Sequence, residues 1–125
     1  MTITPKANLQ LVYVSDISRS TAFYKDIFKS TPVFSSPHYV AFAADANGEA
    51  LFAIWTRGDK PDMATFRFSE IGIMLSSNEE VDRLFDEWRG KAEITVVREP
   101  YDEVFGRTFL VKDPDGHIIR VCPRD

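Results

Sequence analysis

The predicted order of strands and helices repeats once along this chain. Alternating or β-branched apolar runs predict a strand, an amphipathic helix and then three strands, and the same order starts again about sixty residues later. Each such unit has one helix, which can cover one face of its sheet. The second face has no cover within its own unit, so we expect the two units to curl around a shared concavity.

The first unit is predicted over about residues 8–56. Ser15 or Asp16 is the expected N-cap of its helix, because both side chains can accept a hydrogen bond from a backbone N–H of the first turn. The predicted elements are the strand "NLQLVYV" (8–14), the helix "SDISRSTAFYKDIF" (15–28), the strands "TPVF" (31–34) and "HYVAFAA" (38–44), and a turn followed by another strand in "NGEALFAIWT" (47–56). A stretch at about 57–68 that contains Gly, Pro and charged residues is the predicted linker.

The second unit is predicted over about residues 69–122, and its helix is the clearest in the chain. Ser77 and Glu80 have the spacing of a capping box. Four apolar residues follow at i, i+3, i+4 and i+7, which predicts one buried helical stripe: Val81, Leu84, Phe85 and Trp88. The predicted elements are the strand at 69–75, the helix at 76–88 and the strands at 92–100, 105–113 and 117–122.

Length, charge and cysteine content exclude several classes of protein. A chain of 125 residues fits one domain, here residues 1–125, with a core of its own. The net charge of −4, without any basic run, argues against a nucleic-acid partner. The single cysteine, Cys122, excludes a disulfide framework. No signal-peptide pattern and no apolar run near the roughly 18–20 residues of a membrane span is visible, so we expect a cytoplasmic protein without a membrane partner.

Alternation along the first strand of each unit separates two faces. In the second unit one face is wholly apolar and suits packing under the helix. The opposite, cavity-facing positions are Glu70, Gly72 and Met74 in the second unit and Leu9, Leu11 and Tyr13 in the first. On the last strand, Arg120 shares a face with Ile118 and Cys122, which places a permanent positive charge within an apolar strand.

Two motifs carry a family resemblance. With the paired β-α-β-β-β order, "YVSDISRSTAFYKDIF" near the start and "GRTFLVKDPDGHIIRV" at the end resemble the vicinal-oxygen-chelate superfamily of glyoxalases, bleomycin-resistance proteins and dioxygenases. The resemblance spans essentially the whole chain. It implies an α+β fold in which two βαβββ units form a curled mixed sheet around a cavity. The segments "ALFAIW", "RFSEIGIML" and "EPYDEVFGRTFLVKDPDGHIIRVCP" resemble phenazine-antibiotic resistance proteins of the bleomycin-resistance type.

Enzymes of this superfamily hold a divalent metal on the cavity-facing side, and the resemblance locates the matching positions here. Seven residues before Asp16 stands Leu9, and seven residues after Asp113 stands Arg120. The matching position on the fourth strand is Ala53, which leaves Glu70 as a lone ligand type. We therefore expect no metal, no other cofactor and no catalysis, because such centres need three or four N, O or S ligands. Arg120 either pairs with Glu70 or contacts a carboxylate or carbonyl group of a ligand.

Aromatic residues are the remaining candidates for a binding site. Trp55 falls on the cavity-facing side of its strand and is either a stacking platform or a core residue. Phe66 and Phe68 either form a lid or anchor the linker, and Tyr101 and Phe105 are candidate walls. The full set of candidate ligand-binding residues is Trp55, Arg120, Glu70, Met74, Leu11, Tyr13, Phe66, Phe68 and Phe105.

The function that the resemblance implies is binding rather than catalysis. We expect a homodimer that sequesters a small planar aromatic antibiotic, a phenazine of the griseoluteic-acid kind, and so confers resistance. Two alternatives stay open: a metal-dependent glyoxalase-like or thiol-transferring resistance enzyme with atypical ligands, and, more weakly, a ferredoxin-like interaction module.

Overall fold

The structure, a computed structural model, describes residues 2–124, which form eight strands and two helices. The chain divides into two compact units, of which the first ends at Pro61 and the second begins at Asp62. Unit 1 contains β1 (Leu9–Tyr13), α1 (Ile17–Phe28), β2 (Phe34–Ser35), β3 (Tyr39–Ala43) and β4 (Leu51–Trp55). Unit 2 contains β5 (Ile71–Leu75), α2 (Asn78–Trp88), β6 (Thr95–Glu103), β7 (Gly106–Lys112) and β8 (Ile118–Pro123).

Each unit is a four-stranded mixed sheet with one helix packed on one face. The strand order is β1-β4-β3-β2 in unit 1 and β5-β8-β7-β6 in unit 2. In both, the first and last strands of the unit run parallel and the other neighbours run antiparallel. The α+β class and the doubled βαβββ order predicted from the sequence are confirmed.

The helix-covered face of each sheet forms the core of its unit. In unit 1, Tyr24 of α1 is fully buried, and its ring lies 4.8 Å from the ring of Phe52 on β4. In unit 2, Phe85 and Trp88 of α2 contact the ring of Phe109 on β7 at 5.2 and 5.7 Å. Side chains of a strand alternate between the two faces of its sheet, so these buried residues lie on one face only. Each unit has one helix, and the opposite face of its sheet is therefore not covered by a helix of that unit.

Both helices begin where polar side chains can cap them. Asp16, and not Ser15, is the N-cap of α1, and its Oδ1 accepts a hydrogen bond from Arg19 N at 3.1 Å. Ser77 caps α2 by accepting from Glu80 N at 3.2 Å. In a capping box the Glu80 carboxylate would accept from the backbone N–H of the N-cap residue, Ser77. In the structure it accepts instead from the backbone N–H of Ser76, at 2.9 Å.

Two strand predictions were wrong in their extent. The strand predicted at 31–34 is confined to Phe34–Ser35. Pro32 has no N–H to donate, so the ladder cannot extend back through it. The strand predicted at 92–100 runs over Thr95–Glu103 instead, because the residues before it form a turn in which Ile94 N donates to Lys91 O. Pro100 does not end this strand, since β6 lies at the sheet edge, where a missing donor is tolerated.

The linker segment is fastened to the turn that precedes β8. Arg67 Nη2 donates to the backbone oxygen of Asp115 at 2.6 Å. A Cβ added at Gly116, whose φ is +87°, would lie 3.2 Å from the Cα of Met63. The four residues of the turn at 113–116 are buried. Asp113 stabilises this turn because its carboxylate accepts hydrogen bonds from the backbone N–H groups of Asp115 and His117. Within the described residues, no helix is long and apolar enough to span a membrane.

Candidate functional site

The face of the unit 2 sheet opposite α2 carries a polar group at its centre. Arg120 on β8 pairs in register with Gly72 on β5 and with Leu110 on β7. Met74 lies beside Cys122 on the same face. We call this surface the open face of unit 2 and define it by Glu70, Gly72, Met74, Arg98, Tyr101, Phe105, Thr108, Leu110 and Arg120.

Arg120 and Glu70 form a two-point ion pair on this face. Arg120 Nε donates to Glu70 Oε1 at 2.7 Å, and Nη2 donates to Oε2 at 3.0 Å. The third nitrogen, Nη1, donates to Thr108 Oγ1 at 3.2 Å and to Tyr101 Oη at 3.5 Å. Because Glu70 lies on one side of β8 and Thr108 on the other, the guanidinium group extends across the sheet, with its hydrogen-bonding edges occupied.

The pair reinforces the positive charge of Arg120. Hydrogen bonding to the Glu70 carboxylate, opposed by partial desolvation and aided by Tyr101, raises the pKa of Arg120 above its already high ordinary value. Arg120 therefore stays protonated over the whole range in which a protein is folded. In the structure Arg120 pairs with Glu70 within one sheet, and contact of Arg120 with a ligand stays a prediction.

The residues at the expected metal positions do not fit a divalent cation. Both oxygens of Glu70 are occupied by a guanidinium group, and Leu9 and Ala53 carry only alkyl groups. No group of three or more His, Cys, Asp or Glu side chains able to hold a metal ion occurs among residues 2–124. His38 is placed instead beside Thr56 Oγ1 at 3.0 Å, and His117 follows the buried turn.

Apolar groups surround the ion pair. Met74 and Phe105 are 58% and 42% exposed, which is unusual for large apolar side chains, and Arg120 Cζ lies 5.9 Å from the centre of the Phe105 ring. At Gly72 an added Cβ would meet no atom within 4 Å, so the backbone beside Arg120 is open. The open face of unit 2 thus offers a flat polar centre with an apolar margin.

Phe66 and Phe68 form an exposed aromatic pair next to this face. Their rings lie 5.0 Å apart in an edge-to-face arrangement, and 75% and 94% of their surfaces are exposed. They line an open groove of about 550 Å³ together with Arg67, Ser69, Glu70 and Ile118. The residue that anchors the linker is Arg67, which lies between them and bonds to Asp115.

The uncovered face of unit 1 carries the remaining candidates. Tyr13 pairs in register with Trp55, and their rings meet edge to face at 5.6 Å. Leu11 lies two residues earlier on β1, opposite Ala53. The Tyr13 ring rests directly on Gly58, where an added Cβ would lie 2.6 Å from three ring atoms. Trp55 is half-buried rather than a core residue.

Sequence reasoning missed three residues of the open face of unit 2, namely Arg98, Thr108 and Leu110. Thr108 accepts from Arg120, and the guanidinium of Arg98 lies 3.4 Å from the centre of the Tyr101 ring. Alternation along β7 was a signal for Thr108, because it shares a face with Leu110. For Arg98 no such signal existed, since β6 contains register shifts on both sides of it.

Comparison with known proteins agrees with this architecture. The family model described as "Glyoxalase/Bleomycin resistance protein/Dioxygenase superfamily" matches residues 6–121. A relative from Enterobacter agglomerans, the phenazine antibiotic resistance protein EhpR, is 61% identical over 99% of this chain and 95% of its own length.

Solved structures show the same fold. The solution structure of protein ATC0852 from Agrobacterium tumefaciens superposes with a TM-score of 0.80 at 26% identity, covering 98% of this chain and 99% of its own. A glyoxalase-related enzyme from Fulvimarina pelagi superposes with a TM-score of 0.77 at 20% identity, covering 94% of this chain and 87% of its own. The chain therefore belongs to the glyoxalase/bleomycin resistance protein/dioxygenase superfamily.

Proposed function

We propose that this protein confers antibiotic resistance by binding a planar aromatic antibiotic, a phenazine, reversibly and without changing it chemically. The relative at 61% identity that is named a phenazine antibiotic resistance protein supports the resistance role. The observation that carries the non-catalytic part is the Arg120–Glu70 pair. At the position where enzymes of the superfamily are expected to place their metal, this chain has a guanidinium group that is paired with a carboxylate through two hydrogen bonds.

A flat ligand suits the open face of unit 2. The edges of the Arg120 guanidinium are engaged by Glu70, Thr108 and Tyr101, which leaves its planar surface for contact. Guanidinium groups stack on aromatic rings through cation–π attraction and dispersion. Met74 can adapt to the outline of the ligand because its side chain is unbranched and polarizable.

The aromatic surface of unit 1 is part of the same proposal. Trp55 and Tyr13 present ring surface beside Leu11, and stacking on such rings contributes about 0.5–1.5 kcal/mol beyond the burial of area. Phe66, Phe68 and Phe105 add exposed aromatic area in unit 2. The homodimer and the cytoplasmic location expected from the sequence stay part of this proposal.

Calorimetric titration of phenazine-1-carboxylic acid into EDTA-treated protein tests the proposal. We expect binding at micromolar concentration, about one site per chain, and recovery of the unchanged compound by mass spectrometry. Trp55→Ala should weaken binding clearly, whereas Val33→Ala, which removes an exposed apolar side chain outside the strands of unit 1, should not. Binding that returns only after metal is added, or a chemically altered phenazine, would refute the non-catalytic role.

A further inference from the structure

The two arginines on the open face of unit 2 differ in their partners. Arg120 is neutralised by Glu70 through two hydrogen bonds. Arg98, on the edge strand β6, contacts the ring of Tyr101, and no hydrogen bond or ion pair joins its guanidinium to another residue in the described range 2–124. Among residues 2–124, no carboxylate forms an ion pair with the positive charge of Arg98.

Stacking on Tyr101 holds Arg98 in place without using its donors. Arg98 Cζ lies 3.4 Å from the centre of the Tyr101 ring, which is the distance of direct contact between flat groups. Such contact uses the planar surface of the guanidinium and leaves its N–H groups free to donate in the plane. A guanidinium fork held in this way matches the two oxygens of a carboxylate.

Register places this fork at the margin of the flat polar centre. Arg98 pairs with Leu110, Leu110 pairs with Arg120, and Arg120 pairs with Gly72, so the four residues form one row across the sheet. The hydroxyl of Tyr101, on which Arg98 stacks, accepts from Arg120 Nη1. A flat ligand lying over Arg120 and Gly72 would therefore extend toward Arg98.

We propose that Arg98 is the group that recognises a carboxylate on the ligand and so selects planar aromatic carboxylic acids over neutral analogues. The proposal rests on the proposed phenazine-binding function and adds the residue that would set this preference. Arg120 is the weaker candidate for donating to a ligand carboxylate, because all three of its nitrogens already donate to Glu70, Thr108 or Tyr101. Lys112 lies two residues beyond Leu110 on β7, but it has neither a planar fork nor an aromatic support.

Two probes that differ in one functional group test this assignment. Phenazine-1-carboxylate is negatively charged at pH 7, and phenazine-1-carboxamide has nearly the same shape and no charge. Both are titrated into the full-length protein and into Arg98→Met, Arg98→Lys and Lys112→Met. Arg83→Met is the matched control, because Arg83 is exposed on α2, on the other side of the sheet.

Loss of one charge-assisted contact at an exposed site should weaken carboxylate binding to Arg98→Met about five- to tenfold. Carboxamide binding should change less than about twofold, since only the charged contact is removed. Arg98→Lys should retain part of the preference for the carboxylate, and Arg83→Met all of it. Arg98 is exposed, so its variants should keep the far-UV circular dichroism and unfolding midpoint of the parent.

Three results would overturn the assignment. Equal weakening of both probes by Arg98→Met, or weakening of neither, would show that Arg98 does not recognise the carboxylate. Either result would leave the proposed phenazine-binding function standing. If only Lys112→Met selectively weakened binding of the carboxylate probe, Lys112 and not Arg98 would be the residue that recognises the carboxylate. Failure of the parent protein to bind either probe would instead refute the proposed function, and the assignment with it.

Discussion

Arg120→Met is expected to destabilise the protein, and the exposure of the Arg120–Glu70 pair sets the size of the effect. Fully exposed ion pairs contribute about 0.2–1 kcal/mol, whereas removing one partner of a fully buried pair costs about 3–5 kcal/mol. The side chains of Arg120 and Glu70 are 24% and 38% exposed and are joined at two points. We therefore place the cost, after allowance for solvent screening, at about 1.5–2 kcal/mol.

Glu70→Gln is the smaller change of the pair. Glutamine keeps the shape of the side chain and one acceptor oxygen, so we expect a cost of about 1 kcal/mol. In the double variant both charges are absent, so no partly buried charge is left without its partner. The double variant should then cost about 1.5–2 kcal/mol, no more than Arg120→Met by itself, which corresponds to a coupling energy of about 1 kcal/mol.

Urea unfolding of the four proteins, followed by far-UV circular dichroism, measures this cycle. The dependence of the unfolding free energy on urea concentration should stay constant, because the surface exposed on unfolding does not change. The control is the cycle of Arg107 and Asp82, a single contact of 3.0 Å between more exposed side chains, which should give a smaller coupling. A coupling at Glu70–Arg120 below about 0.3 kcal/mol, or no larger than the control, would refute the reasoning.

Three further predictions concern local geometry and pH. Gly58→Ala should displace the Tyr13 ring, change the near-UV circular dichroism and lower stability by about 1 kcal/mol, because the new Cβ would meet the ring at 2.6 Å; an unchanged spectrum would contradict this. Gly116→Ala should cost about 2 kcal/mol in urea unfolding, since φ is +87° and the Cβ would press on the linker; a neutral effect would contradict it. Hydrogen bonds from the side chain and backbone of Ser76 lower the pKa of Glu80, so the stability they add is present above pH 4.5 and is lost as the pH falls below it. Glu80→Gln should therefore reduce the acid dependence of the unfolding midpoint, whereas Glu79→Gln in the same turn should change it less.

Regular alternation and helical periodicity made most of the fold predictable. Three residues of the stripe predicted on α2 are buried, Val81, Phe85 and Trp88, and the fourth, Leu84, is half-buried, because a 3.6-residue repeat places them on one side of the helix. Asp16 and Ser77 were both among the expected caps, because their side chains satisfy donors that any helix leaves unpaired. These signals are local, and one sequence suffices to interpret them.

Features that depend on distant residues were harder to predict. The pairing of Arg120 with Glu70 remained one of two alternatives, since residues fifty positions apart meet only through strand register. Arg98 was missed because bulges in β6 interrupt the period of two on which face assignments depend. The aromatic candidates stay predictions: the structure gives their exposure and ring contacts, and ligand binding is still to be measured.

The Arg120–Glu70 pair also restricts the order in which this sequence can change. Arg120→Glu as a first step would replace the ion pair by two neighbouring carboxylates, whose like charges repel. Loss of the arginine alone leaves the same uncompensated carboxylate. The less costly mutational path therefore neutralises Glu70 first, so descendants with a different residue at 120 are expected to differ from this chain at 70 as well.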